Sequence, residues 1–135
     1  KEVTGDTSLP PDTAYNFLKI DTQGYEVRIL QGLSEVIKKN RSHLFGLIEF
    51  APGLITEAEG NYHAWIDTLE EFGASCIYPD ISSDKIELVL VDRKAIEDIA
   101  SQLLESKFID LSVEFIVFFS DEARAWGQEK LGINA

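Results

Sequence analysis

The sequence predicts an α/β fold, a layered sheet that is parallel at least at its start. Three observations predict it. Short apolar runs alternate with stretches whose apolar residues recur at i, i+3, i+4 and i+7, so strands alternate with amphipathic helices. The run His43–Phe50, HLFGLIEF, is apolar on both sides, as a central parallel strand is. The run EFIVFF within Ser112–Phe119 is the most apolar in the chain and demands burial.

Lys1–Thr13 is polar and holds Gly5, Pro10 and Pro11, so it reads as a loop or the tail of a linker. Phe17–Asp21 is a strand ending in an acid, and Thr22-Gln23-Gly24 is a turn. A helix over Tyr25–Lys39 follows, from Ile29, Leu30, Leu33, Val36 and Ile37. Lys38 and Lys39 suit its last turn, and Asn40 caps it. After the His43–Phe50 strand, Ala51-Pro52-Gly53 is a break. Leu54–Asn61 is a loop with at most a helical turn at Thr56–Glu59. Tyr62, Trp65, Ile66, Leu69 and Phe72 mark one helix face, with Asn61 at its start and Gly73 at its end. These aromatics read as core, and Trp126 in the last helix likewise.

Ser75–Tyr78 and Glu87–Val91 are neighbouring strands around a turn at Pro79–Asp84, the second a short edge element. Asp92 caps a helix whose apolar face is Ala95, Ile96, Ile99, Ala100, Leu103 and Leu104. Ser112–Phe119 is the last strand. Ser120, Asp121 and Glu122 open a final helix running to about Leu131. The order is β-α-β-α-β-β-α-β-α, without repeats.

A chain of 135 residues fits one domain, here 1–135 with 1–15 as lead-in. Its net charge of −12 disfavours nucleic acid and anionic membrane surfaces as partners. No apolar run approaches the roughly 20 residues of a membrane span. The lead-in lacks an apolar signal core. The single cysteine, Cys76, has no internal disulfide partner and reads as a small buried hydrophobe. A cytoplasmic location follows from these features as an expectation.

Chemistry concentrates at KIDTQGYEVRILQG, residues 19–32. Asp21 and Glu49 end adjacent parallel strands, where open α/β sheets bind ligands. Glu26 opens the intervening helix. Such carboxylates suit general-base work or substrate contact. Each also has a structural reading. Glu26 favours a helix N-terminus, Asp21 holds the turn, and Glu49 pairs with Lys19 or Arg28. His63 with Asp21 and Glu49 has the donors for a hard cation. The spacing forms no metal motif, so no metal is assigned. His43 and His63 read as surface or capping residues. No CxxC, G-x-S-x-G or Gly-rich phosphate loop occurs.

The stretch resembles the signature of FkbM-type methyltransferases, K-I-D-x-[EQ]-G-[FY]-E-x-x-V/I-L-x-G. It matches at Lys19, Ile20, Asp21, Gln23, Gly24, Tyr25, Glu26, Leu30 and Gly32, and LFGLIEF ends in Glu49 as that family's next strand does. The resemblance implies a Rossmann-like, mainly parallel sheet with an antiparallel strand near the C-terminus. Asn16–Asp21 would be its fourth strand, Leu44–Phe50 its fifth, and EFIVFF the antiparallel strand beside the fifth. It implies S-adenosylmethionine as cofactor and O-methylation of a sugar or natural-product hydroxyl. It assigns Asp21, Glu26 and Glu49 to catalysis, and Asp21, Thr22, Gln23 and Gly24 to the cofactor.

The sequence departs from that family in one respect. No Gly-rich turn follows a first strand, and no ribose-binding acid follows a second. The resemblance therefore covers the second half of such a domain. Three readings remain open: a piece of a longer methyltransferase, inactive alone; an interaction module that dimerises through the exposed edge of the Phe17–Ile20 strand; and a small hydrolase using Asp21 and Glu49. The Pro52–Asn61 loop is the candidate for acceptor contact.

Overall fold

A computed structural model describes residues 2–3, 16–81 and 84–131. In chain order its elements are β1 (Glu2–Val3), β2 (Phe17–Ile20), α1 (Glu26–Gly32), α2 (Ser34–Asn40), β3 (Phe45–Phe50) and α3 (Pro52–Glu59). Then come α4 (His63–Glu71), β4 (Ser75–Asp80), β5 (Glu87–Val91), α5 (Arg93–Leu104), β6 (Val113–Phe118) and α6 (Asp121–Leu131).

The strands form one mixed sheet in the order β1-β2-β3-β6-β4-β5. β1, β2 and β3 pair in parallel, with registers such as Val3↔Leu18 and Ile20↔Ile48. β6 is antiparallel to both β3 and β4, and β4 is antiparallel to β5. The sheet is thus parallel on one side and antiparallel on the other, which matches the expectation of a mainly parallel sheet only in part. The cause is local. Only six residues separate β4 from β5, and connections this short permit only antiparallel pairing. β6 then returns from α5 and inserts between β3 and β4, beside β3 where the EFIVFF run was expected.

Alternation along the strands builds two layers. In β6, Phe115 and Val117 join the larger core with Leu18, Ile20, Ile48 and Phe50, under the apolar faces of α1 to α5. Phe118 faces the other way and packs with Ile77 and Ala123 under α6. Trp65 of α4 is core, as its spacing suggested, and Tyr62 and Phe72 at the two ends of the helix pack half-buried against it. Trp65 lies 4.6 Å from Phe50 and 5.5 Å from Phe115 between ring centroids. Trp126 packs 5.9 Å from Phe45.

Several elements differ from the sequence reading. The helix expected over Tyr25–Lys39 is two helices meeting at Leu33. Gly32, a poor helix former, sits at that junction. The Leu33 N–H still bonds the Ile29 carbonyl, so the apolar period continues across the break. The expected loop after Phe50 is helix α3, in which Pro52 occupies the first turn and Gly60 ends the helix. Proline lacks an N–H that the first turn leaves unbonded anyway, so it starts helices as readily as it breaks them. β4 continues through Pro79, past the end of its pairing with β6 at Ile77 and still opposite Leu88 of β5. Within the lead-in, Glu2 and Val3 form a strand against Phe17 and Leu18. The rest of the lead-in lies outside the described residues. β1 thereby covers the first half of the β2 edge that was expected to be exposed.

Candidate active site at the carboxyl end of the parallel strands

The register Ile20↔Ile48 places the next residues, Asp21 and Glu49, side by side where β2 and β3 end. The chain then turns sharply, with Gln23 at φ 56° and Gly24 at φ 103°. The left-handed region suits Gly24 and is uncommon for a residue such as Gln23. Space also fixes Gly24. A Cβ there would lie 2.8 Å from the Leu54 carbonyl oxygen of α3.

Glu26 holds this turn from within. Its side chain is fully buried. One oxygen accepts the Thr22 N–H at 2.7 Å and the Thr22 hydroxyl at 2.8 Å. The other accepts the Gly24 N–H at 3.1 Å. The turn in turn reaches β3. The Gln23 N–H donates to Glu49 Oε1 at 3.2 Å. Gln23 Nε2 lies 3.4 Å from both Glu49 Oε2 and Asp21 Oδ1. On the main-chain side, the buried Trp65 indole donates to the Glu49 carbonyl at 3.0 Å, which fixes the strand end.

Glu49 is the perturbed group of this set. It is 5% exposed. Burial pushes its carboxyl up to about 7, helped by its hydrogen bond with the Asp21 carboxyl and by the negative charges of Asp21 and Glu26. The Gln23 N–H opposes the shift in part. A carboxyl poised near neutral, beside an exposed carboxylate, accepts and returns a proton at physiological pH.

Among the described residues no ion pair joins Glu49 to Lys19 or Arg28. Arg28 instead binds Glu59 at 3.0 Å and the Ala58 carbonyl at 3.2 Å. His63 is not gathered into the carboxylate cluster. Its ring nitrogens face Asn61 Oδ1 at 2.7 Å and Glu97 Oε2 at 3.0 Å. His43 lies beside the Ser42 hydroxyl. Among the described residues no group of three His, Cys, Asp or Glu side chains is arranged to hold a metal ion. Also among them, no helix is long and apolar enough to cross a membrane.

The turn thus brings together Asp21, Thr22, Gln23, Gly24, Glu26 and Glu49. Sequence reasoning missed two supports, Trp65 and Leu54. It also missed the Thr22–Glu26 bond, whose four-residue spacing is one longer than that of a capping box.

A layered α/β sheet with carboxylates gathered beyond the ends of adjacent parallel strands is consistent with a Rossmann-like fold. Residues 10–76 match the family model of the methyltransferase FkbM domain. The match spans 67 of the chain's 135 residues and agrees with the family that the KIDTQGYEVRILQG stretch resembles. Comparison with curated proteins and with solved structures found no match.

Proposed function

We propose that the chain carries the acceptor side of an S-adenosylmethionine-dependent O-methyltransferase site, with Glu49 as the base. The observation that carries this reading is the Asp21–Glu49 carboxyl pair, held by Gln23 at the end of two parallel strands with Glu49 raised to about 7. When bound, the cofactor supplies a methyl group on a positively charged sulfur. Its cationic methionine end fits the donor set here, because Asp21 is exposed and its recorded hydrogen bond from Gln23 is a long one. The fit is limited to that end. Gly24 is occupied by packing on Leu54, so it offers the protein's own fold, rather than a cofactor, its close approach.

In this reading Glu49 takes the proton that an acceptor hydroxyl loses as its oxygen is methylated. Gln23 orients the Glu49 carboxylate through two donors. Glu26 is a positioning residue, since both its oxygens are engaged by the turn. Thr22 acts with it, its hydroxyl turned to Glu26. The acceptor is a small molecule with a hydroxyl group, of the sugar or natural-product kind, and the protein works in the cytoplasm.

Calorimetric titration with S-adenosylhomocysteine tests the reading. Saturable binding that weakens about tenfold in Asp21→Asn is expected, from loss of a charged hydrogen bond. Binding indifferent to Asp21→Asn would overturn the assignment of Asp21. No binding up to about 5 mM would overturn the cofactor reading for this chain.

A further inference from the structure

We propose a second ligand site at the opposite edge of the sheet, for a small apolar molecule bearing one carboxylate or phosphate. A cavity of about 510 Å³ opens between α4, the start of β4, the end of β5 and α5. That volume is in the range of small-molecule pockets, roughly 300–1,000 Å³. Ser75 on its wall pairs with Phe118, which also pairs with Phe45 at the start of β3. The cavity therefore lies at the amino ends of the parallel strands, and Asp21 and Glu49 lie at their carboxyl ends.

Its floor is apolar, made by Ile66, Leu69, Cys76, Val91 and Ile96. That floor takes an apolar body, and the rim sets the charge. Arg93 on the rim is already matched by Asp67 at 2.7 Å and by Glu70. Arg124 is not. Its carboxylate neighbour, Asp121, lies 3.8 Å away and is 89% exposed. Its other recorded contact, to the Ser75 hydroxyl, is 3.5 Å long. A guanidinium has five N–H donors in a fork that matches carboxylate or phosphate, so Arg124 retains the capacity to bind one at the cavity mouth.

Two carboxylates also line the cavity and both are engaged, Glu70 by Arg93 and Asp92 by the Ala95 N–H, which leaves Arg124 as its loosely held charge. Arg41 reaches the same edge, donating to the Phe119 carbonyl at 3.4 Å. Three of the four arginines of a chain with net charge −12 thus converge on one edge. The site rests on none of the residues assigned to methyl transfer.

Calorimetric titration of the whole chain with 4-phenylbutyrate, 4-phenylbutyl phosphate and the neutral 4-phenylbutanamide tests this site. The anions are expected to bind at least about tenfold more tightly than the amide. Arg124→Gln should remove that advantage and leave amide binding unchanged, and Arg124→Lys should restore part of it. The tighter of the two anions names the headgroup. Glu49→Gln should not alter anion binding, which separates this site from the carboxylate site. Equal binding of acid and amide, anion binding indifferent to Arg124→Gln, or no binding at about 5 mM would each overturn the proposal.

Discussion

Glu49 makes the folded state sensitive to pH in a direction opposite to most carboxylates. Its folded value, about 7, lies above the ordinary 4.5. The folded chain therefore holds this proton more tightly than the unfolded one. Glu49's contribution to stability is full below 4.5 and is lost as pH rises through about 7. Glu49→Gln imitates the protonated acid, with an oxygen for the Gln23 N–H and an amide donor for Asp21. At pH 8 this variant should be more stable than the parent by ~1–2 kcal/mol, below what the full shift implies because water near the exposed Asp21 screens it. Urea unfolding at pH 5 and pH 8 measures this, and an equal difference at both would refute it. Any methyl transfer should fall below pH 7 in the parent and lose that limb in the variant.

Glu26 is the second residue-scale case. Glu26→Ala leaves two N–H groups and a hydroxyl of the turn without their acceptor. Stability should drop by ~2–4 kcal/mol, since unmet buried donors carry their full desolvation cost. A loss under about 0.5 kcal/mol in urea unfolding would show that water replaces the carboxylate. At this scale the sequence was partly legible. Asp21 and Glu49 stand out as acids at the ends of apolar runs. What each hydrogen-bonds was not legible, because Gln23 reaches Glu49 through a backbone conformation that no spacing rule encodes.

Among elements, α3 shows why boundaries were harder to read than existence. Pro52-Gly53 has the composition of a break, yet both residues serve a helix start. Gly53 is required by contact. A Cβ there would collide with the Ile109 carbonyl oxygen, on the segment between α5 and β6. Gly53→Ala must push backbone aside and should cost ~1–3 kcal/mol, like other overpacked sites. The accompanying shifts should appear in the amide NMR spectrum at Phe108–Leu111. An unchanged spectrum with unchanged stability would mean that the contact relaxes freely. The break at Leu33 was hidden for the converse reason, since apolar spacing runs through it undisturbed. The strands Phe17–Ile20, Phe45–Phe50 and Val113–Phe118 were legible because burial on both sides leaves long apolar runs. β1 was not legible, because two residues carry no period.

At the scale of the molecule, net charge and packing oppose each other. The chain carries 24 acidic against 12 basic side chains, so its compact state repels itself. Salt screens that repulsion, with a Debye length of about 10 Å at 0.1 M. Salt also weakens ion pairs such as Arg93–Asp67 and Lys94–Asp98, but these are exposed. Exposed pairs contribute only ~0–1 kcal/mol each. The diffuse repulsion should therefore win, and the urea midpoint should rise as NaCl increases from about 10 to 300 mM. A falling midpoint would mean that the ion pairs around Arg93 dominate. Lowering the pH toward 5 also reduces negative charge, so it mixes this effect with the protonation of Glu49. Glu49→Gln separates the two. In that variant the salt dependence should persist almost whole, because one charge among 24 acidic groups is lost. Its pH dependence relative to the parent should shrink, because the buried proton no longer exchanges. A salt response that vanished with Glu49 would place the repulsion in the carboxylate cluster of the turn, not in the surface as a whole.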